Sequence, residues 1–308
     1  MSKIKYILMA AAFAVASNTS AQAGSLSDSL PLGKSLAAGH ELPLPLGISA
    51  NVFFMEQDMT AQSIGLDASK IPPSVVGLLV GSQMPPNTPL AQIQAAVAGL
   101  TSVLPNLQAT ADKLESRATS TTAKIDAWVL PFLNVYGVAG HVDGETTASG
   151  FSVGGLPPEL ASLLPNSFAI SYSGPVYGVG VTLAAGHNQF FASLDANYTE
   201  SDLDIGDSTI EAFVISPRIG ITGDLGGLSG ALYVGAMYQD VDEQQNGTVK
   251  FPIMGMPVPV GYDVISEAEE KWNYLIGANL KASESWNYGI EVGFSDRTHV
   301  MATLNYRF

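Results

Sequence analysis

The chain has 308 residues, no cysteine, and 28 acidic against 13 basic residues, which gives a net charge of −15. The lack of cysteine excludes disulfides, thiolate metal sites and a lipoprotein anchor. The negative charge argues against nucleic acid as a partner, and after the first residues no apolar segment reaches the roughly 18 residues of a spanning helix.

The amino terminus has the features of a secretory signal peptide. Lys3 and Lys5 precede an apolar run from Tyr6 to Ala16, and Ala21-Gln22-Ala23 supplies a small-x-small cleavage pattern. The sequence therefore predicts a signal peptide over 1–23 that is cleaved near Ala23, a periplasmic segment over 24–45, and a folded unit over 46–308.

The first predicted strand covers about 46–57, where Ile48, Ala50, Val52 and Phe54 alternate with other residues. The segment 58–120 that follows is irregular. Prolines interrupt it, and a later part has apolar residues at helical spacing. We expect a long, partly helical segment, which is an external loop if the sheet has ten strands, and a plug or a periplasmic segment if it has eight.

The choice between ten and eight strands depends on 121–142. Apolar residues alternate on both sides of Pro131-Phe132, which predicts a strand, a turn and a strand. A single rising strand is the alternative. Ten strands are preferred because proline cannot donate a hydrogen bond in the centre of a sheet.

The remaining chain contains strand patterns around 177–183, 190–199, 209–222, 229–242, 272–281 and 286–295, and a last one that runs to the carboxy terminus. Long links over 143–173 and 243–267 and shorter ones over 202–208 and 296–298 alternate with tight turns. This layout is typical of outside loops that alternate with periplasmic turns.

The last nine residues alternate without a break and end on Tyr306-Arg307-Phe308. This ending resembles the closing signal that bacterial outer-membrane β-barrels present to their assembly machinery, with Tyr306 and Phe308 as its aromatic residues. The resemblance implies an all-β fold, a transmembrane antiparallel up-and-down β-barrel of about ten strands, in the outer membrane of a Gram-negative cell with both termini in the periplasm. Segments 128–137 and 191–199 are similar to a poorly characterised group of such barrels with no established activity.

Aromatic residues cluster near the predicted strand ends. Their rings favour the boundary between membrane and water, because one end is apolar and the other can form a hydrogen bond. We predict an aromatic belt made of Trp128, Tyr177, Tyr198, Tyr238, Trp272, Trp286 and Tyr306.

A second set of residues carries charge on the predicted inner face. A barrel of eight to ten strands is largely filled by side chains, and buried charges require partners. We therefore predict a lumenal charge network that fills the barrel, formed by Lys124, Asp126, Asp195, Arg218, Lys271, Lys281, Glu291 and Arg307.

The outer links offer weak candidates for catalysis. Ten-stranded proteases of the omptin kind need acidic pairs and an Asp-His pair at the rim, and this chain has Asp202, Asp204 and Asp207 on one link and His141 with Asp143 on another. None reproduces a family motif, and a second acidic rim is expected at Asp240, Asp242 and Glu243. The sequence predicts no catalytic residue, no cofactor and no metal site.

These observations favour a structural or surface-binding outer-membrane protein with a filled lumen. A narrow porin or small-solute channel is the alternative, and an outer-membrane hydrolase is less favoured. The expected partners are outer-membrane lipid and lipopolysaccharide, and the barrel-assembly machinery during insertion. The sequence leaves the oligomeric state open.

Overall fold

The computed structural model describes residues 29–37, 42–154, 165–224, 227, 229–253 and 256–308. The predicted signal peptide lies outside these residues, as does part of the predicted periplasmic segment. Among the described residues no helix is both long and apolar enough to cross a membrane.

Strands dominate the described part of the chain. They are β1 (Leu46–Asp67), β2 (Leu107–Thr110), β3 (Lys113–Leu130), β4 (Leu133–Ser149), β5 (Ser152–Val153), β6 (Ser167–His187), β7 (Phe190–Asp202), β8 (Thr209–Asp224), β9 (Ser229–Ile253), β10 (Met256–Ala268), β11 (Trp272–Lys281), β12 (Trp286–Phe294) and β13 (Arg297–Arg307). The helices are α1 (Pro73–Gln83) and α2 (Leu90–Val103), with short 3₁₀ turns at Lys34–Ala37 and Leu104–Asn106.

Ten of these strands form a closed antiparallel ring in the order β1, β3, β4, β6, β7, β8, β9, β11, β12, β13. The ring closes where β13 pairs with β1, with Ile48 opposite Tyr306. The Leu46 amide donates to the Phe308 carbonyl at 3.1 Å, and the Phe308 amide donates to the Leu46 carbonyl at 3.0 Å. The predicted ten-stranded barrel is confirmed, and the eight-stranded alternative is wrong because β3 and β4 are separate strands joined by a turn at Pro131-Phe132.

The alternation of the sequence sorts side chains between the two faces of the ring. Along β12 and β13, Ile290, Val292 and Leu304 are exposed on the outside, while Glu291 and His299 are buried inside. An exposed apolar band around a closed sheet is the surface that a barrel presents to hydrocarbon, because every backbone group is already paired within the sheet.

The band ends abruptly toward one side of the ring. On the outer face of β9, Leu232 and Val234 are exposed, Tyr238 packs against Trp272, and Asp240 and Asp242 follow. Beyond the level of Tyr238 and Trp272 the outer face is polar. This level therefore marks one edge of the membrane, and the end where both termini meet lies at the other edge.

Five strands of the ring continue past this edge, and β10 joins them there. The outer extension therefore consists of β1, β3, β4, β6, β9 and β10. The last nine residues of β1 alone add roughly 20 Å at the usual rise and tilt of barrel strands. The loops in the structure are therefore shorter than those that the sequence predicts. Residues 58–67 belong to β1 and 113–120 to β3, and much of 143–173 and 243–267 belongs to β4, β6, β9 and β10.

A single strand, β10, replaces three membrane strands in the outer extension. β1 pairs with β13 up to Gln57 opposite Arg297, and from Met59 opposite Ala268 onward it pairs with β10. On its other side β10 pairs with β9 as far as Asp242 opposite Glu267. The short strands β11, β12 and β13 therefore end at the membrane edge, beneath β10.

The interior of the outer extension is apolar. Buried side chains from its strands form an outer core together with helix α1, and its members include Met59, Ile64, Leu66, Val75, Val76, Leu79, Val80, Leu114, Phe168, Phe251, Val258, Val260 and Val264. The phenyl rings of Phe168 and Phe251 meet edge to face, with their centroids 5.7 Å apart. Residues 68–112, with α1, α2 and β2, form a cap over this core.

Candidate functional site

The membrane-level lumen is the candidate site, and tyrosine rings lying over glycines narrow it. Tyr136 pairs across strands with Gly180, and Tyr233 with Gly277. A Cβ atom at either glycine would collide with the ring of its partner tyrosine. A third pair, Tyr172 and Gly144, repeats this contact in the outer extension. The rings therefore lie flat across the neighbouring strands and occupy the interior.

Two of the predicted lumenal charges pair at the end of the ring where the two termini meet. Arg307 Nη1 lies 3.0 Å from Asp126 Oδ2, and Asn134 Nδ2 donates to the same oxygen at 2.7 Å. Gly47 lies against both charged groups, and a Cβ there would overlap the Asp126 carboxylate. This ion pair links β3 with β13 across the intervening β1.

Asp195 is the centre of a second group. Its carboxylate accepts hydrogen bonds from the Tyr136 hydroxyl at 2.9 Å, the Thr182 hydroxyl at 2.6 Å and the Asn197 amide at 3.1 Å. The ammonium of Lys124 lies 4.9 Å from the centre of the Tyr136 ring. Four strands thus contribute polar atoms to one compact cluster.

Arg218, Glu291 and His299 form the third group. Arg218 holds the Glu291 carboxylate with two hydrogen bonds, from Nε at 2.8 Å and from Nη2 at 3.2 Å. His299 Nε2 is 3.5 Å from the other side of that carboxylate, and its ring packs against Phe53. A bidentate pair of this kind satisfies a buried carboxylate well.

The other two residues of the predicted network lie elsewhere. Lys271 precedes β11 at the outer membrane edge and pairs with Asp240, which faces outward, at 2.6 Å. Lys281 is exposed at the opposite end of β11. The structure therefore places six of the eight predicted charges inside the ring, in three separate groups.

A further polar group lies at the level where β13 gives way to β10. Arg297 Nη1 donates to Gln57 Oε1 at 3.2 Å, and Gln239 extends across the lumen to within 3.9 Å of the Met55 sulfur. We name Gln57, Gln239 and Arg297 the donor cluster. The sequence interpretation assigned Arg297 to the tight turn, although its odd number already places it on the same face of β13 as His299 and Arg307.

Glu243 differs from its predicted position on an acidic rim. Asp240 and Asp242 alternate to the outside of β9, whereas Glu243 points into the outer extension and is buried. Thr146 and Gln245 donate to its carboxylate. Burial still dominates and raises the pKa of Glu243 from 4.5 to about 7, because the charged form loses its hydration.

The predicted belt residues fall at both membrane edges, with one exception. Tyr238 and Trp272 meet at the edge below the outer extension with ring centres 5.3 Å apart, and Trp286 and Tyr306 meet at the opposite edge, near the termini, at 4.9 Å. Tyr177 and Tyr198 lie on the outer face and are half-buried, and Tyr306 stacks on Phe308. Trp128 instead shares the inward face of β3 with Asp126, opposite Asn134.

The acidic residues of the outer links mostly serve local structure. The amide and hydroxyl of Ser173 donate to Asp204 and lower its pKa, and the Asp207 amide donates to Asn246. His141 lies 3.6 Å from Asp143, with both side chains exposed. Over the described ranges of the chain, no group of three or more His, Asp or Glu side chains could hold a metal ion.

The outside wall of the ring also has an open apolar groove of about 710 Å³ along the halves of β7, β8 and β9 that lie away from the outer extension. Phe190, Ile219, Ile221, Leu232 and Val234 line it. The groove lies within the apolar band and contains little polar surface.

Comparisons with known proteins give only distant similarities. No protein-family model matches the chain, and no curated protein matches it. Among solved structures it is similar to the β-domain of the Bordetella autotransporter BrkA, with 10% identity, a TM-score of 0.33, and coverage of 86% of this chain and 100% of that one. It is also similar to the translocator domain of NalP from Neisseria meningitidis, with 11% identity, a TM-score of 0.33, and coverage of 92% and 94%.

A third similar structure is the toluene transporter TbuX from Ralstonia pickettii, with 9% identity, a TM-score of 0.28, and coverage of 86% and 90%. At such scores the similarities do not distinguish among functions. The ring itself, with its apolar exterior and polar interior, determines the architecture. The chain has the architecture of a ten-stranded transmembrane β-barrel.

Proposed function

We propose that the protein is a structural or surface-binding barrel of the bacterial outer membrane and that it does not conduct solutes. The main support for this proposal is the outer core. Phe168, Phe251 and Val264 belong to a large buried apolar cluster in the outer extension, above the polar lumen. A hydrated ion that crossed this cluster would lose water, and the apolar side chains would offer it no polar partners.

The membrane-level lumen supports the same conclusion. The tyrosine rings over Gly180 and Gly277 and the three charge groups narrow the interior. In this proposal these side chains hold the strands in register and close the path for water. A narrow channel remains the second candidate, because the lower lumen is polar.

The test is a planar bilayer recording on purified full-length protein whose folding is first verified by heat-dependent gel mobility. We expect no conductance steps above the background of an empty bilayer. Discrete, salt-dependent steps from folded protein would refute the sealed lumen and favour the narrow channel.

The cap is the surface best placed to bind a partner. Leu78 and Leu90 are 58% and 69% exposed, although each lies on a helix that covers the outer core. We infer that these side chains contact a partner at the cell surface, because two large apolar side chains on one exposed cap suit a binding surface.

Cells that display the barrel can test this role. The double variant Leu78→Glu with Leu90→Glu keeps the buried face of both helices, and we expect it to reduce adhesion of displaying cells to one another or to a host surface. A matched control changes Thr88→Glu with Gln94→Glu, which adds the same charge to the same region. Equal adhesion by both variants, at equal surface display, would argue against the cap as the surface that binds a partner.

The location and the partners that the sequence predicts are part of this proposal. The outer membrane is the proposed location, its lipid and lipopolysaccharide are the proposed surroundings, and nucleic acid and enzymatic turnover have no part in the function. We propose that the assembly machinery recognises Tyr306 and Phe308. Phe308→Ala should lower the amount of heat-modifiable protein in outer-membrane fractions, whereas Phe132→Ala, in a periplasmic turn, should not.

A further inference from the structure

The donor cluster contains more N–H groups than acceptors. Arg297 is 1% exposed and uses Nη1 for one hydrogen bond to Gln57, whereas its Nε and Nη2 have no partner among the described residues. A guanidinium offers five N–H donors and stays charged at every accessible pH. Most of the hydrogen-bonding capacity of this buried cation is therefore unused.

The charge of Arg297 also lacks compensation. Within the described residues no carboxylate lies at ion-pair distance from it. The carboxylate of Glu291 is already held by Arg218 and lies next to His299, and the exposed Asp296 accepts a hydrogen bond from Ser295. An unpaired buried charge is strongly unfavourable, so a negatively charged partner would stabilise this level of the lumen.

In the part of the chain that the structure describes, two side-chain amides of the donor cluster also have only a sulfur atom as acceptor. Gln57 Nε2 points to the Met59 sulfur at 3.1 Å, and Gln239 Nε2 points to the Met55 sulfur at 3.9 Å. Thioether sulfur is a weak acceptor. The orientation of the Gln57 amide is fixed, because its oxygen accepts from Arg297.

We propose that a small monovalent anion of the chloride class binds in the lumen at Arg297, with the side-chain amides of Gln57 and Gln239 as further donors. Chloride is small and accepts hydrogen bonds from any direction, which suits the unpartnered Nε and Nη2 of a buried guanidinium. The anion would hold β1, β9 and β13 together at the point where β10 takes over from the membrane strands.

The alternative to a bound anion is that an uncharged group accepts hydrogen bonds from the guanidinium. Asn273 Nδ2 donates to the Arg297 carbonyl at 2.6 Å, and its Oδ1 is an unpartnered acceptor in the same region. Asn273 or water could accept from the guanidinium, but neither would neutralise its charge. The experiments below separate an anion from hydration alone.

The first experiment refolds the full-length protein into detergent micelles in sodium chloride or in sodium gluconate at equal ionic strength. Gluconate is too large to enter a filled lumen. At a chloride concentration ten times its dissociation constant, we expect the unfolding equilibrium to shift about tenfold toward the folded state. Arg297→Gln should remove this shift, and Arg117→Gln should keep it, because Arg117 pairs with Glu56 on the exposed surface.

A chloride-specific shift of equal size in Arg297→Gln would overturn the proposal, as would equal stability of the wild-type protein in both salts. The second measurement does not depend on the variant. Crystals of the wild-type barrel grown in sodium bromide should show anomalous scattering in contact with the Arg297 guanidinium. Water density there without a bromide signal would also overturn the anion site.

Discussion

At the residue scale, the fit between tyrosine and glycine determines how tightly the lumen closes. Tyr136 lies over Gly180 and donates its hydroxyl to Asp195, so one ring serves both packing and the polar network. The glycine is required by the close approach of the ring and not by backbone conformation. Any larger residue at this position must move the ring and break its hydrogen bond.

Gly180→Ala should therefore destabilise the barrel by about 1–3 kcal/mol, the usual cost of overpacking. Gly223→Ala is the matched control, since it lies on β8 with open space around its Cβ position and should be nearly neutral. Urea unfolding in lipid vesicles measures both. Similar free energies of unfolding for the two variants would contradict the proposed role of the ring contact.

Glu243 gives the outer extension a pH dependence with a defined sign. Its pKa in the folded state is raised to about 7 from 4.5. The stabilising effect of its protonated form is complete below pH 4.5, decreases as the unfolded state loses its proton, and is lost once the pH passes about 7. In the wild-type protein this effect lowers the free energy of unfolding by about 3 kcal/mol between pH 4.5 and pH 8. Glu243→Gln should remove this decrease.

Hydrogen exchange of β9 and β4 amides across this pH range measures the effect locally. Glu115→Gln, on the exposed face of β3, is the control and should leave the pH profile unchanged. A profile for Glu243→Gln that matches the wild-type profile would show that the carboxyl is hydrated in the folded state.

At the scale of elements, the sequence predicted the membrane strands well and the outer extension poorly. Alternation identifies β12 and β13 because their two faces meet media of opposite polarity, as with Ile290 outside and Glu291 inside. In the outer extension the outside is polar, but the strands there carry many prolines and glycines, and β10 itself contains Pro257 and Pro259. In a sequence, these prolines and glycines predict a loop, although β10 is paired with a neighbouring strand on both sides.

The candidate site was predictable to the same degree. Face alternation was enough to place Arg218 and Glu291 inside, and Asp126 with Arg307, because it fixes orientation. It cannot fix strand ends, and for that reason Lys271 and Lys281 were placed wrongly and Arg297 was assigned to the link 296–298. Trp128 is a different case, because alternation itself places it on the inner face with Asp126. Partners across the lumen, such as Gln239 and Met55, depend on ring geometry that one sequence does not contain.

Helix α1 provides a test of how the cap is held. Val76 is 2% exposed and packs into the outer core, whereas Leu78 on the same helix faces outward. Val76→Asp should detach the cap, because an unpaired buried carboxylate costs several kcal/mol. Limited proteolysis should then cleave between α1 and α2, while heat-dependent gel mobility of the ring stays normal.

Leu78→Asp should leave the cap resistant to protease. Cleavage at equal rates in the two variants would show that the cap is not anchored through α1. Loss of heat-modifiable protein in Val76→Asp alone would instead show that the ring and the outer core fold as one unit.

At the scale of the whole molecule, alternate residues of a closed ring face hydrocarbon. The natural chain has no cysteine, so single cysteines carrying spin labels report on one position at a time. Labels at Ile290→Cys and Leu304→Cys should be accessible to oxygen, which partitions into lipid, and protected from a water-soluble nickel complex.

Asp143→Cys, exposed on the outer extension, should show the reverse pattern. Strong nickel accessibility at Ile290 or Leu304 in lipid vesicles would mean that these side chains face water. The barrel would then not span a membrane in the orientation described.

The position of β1 has one more consequence. This strand pairs with β2, β3, β10 and β13, and its last two pairings involve segments about two hundred residues later in the chain. The closing strand pair of the ring and the outer extension consequently share one strand. Until β10 and β13 have both paired with β1, part of this edge stays open, so full protection of β1 against hydrogen exchange would indicate that the ring has closed.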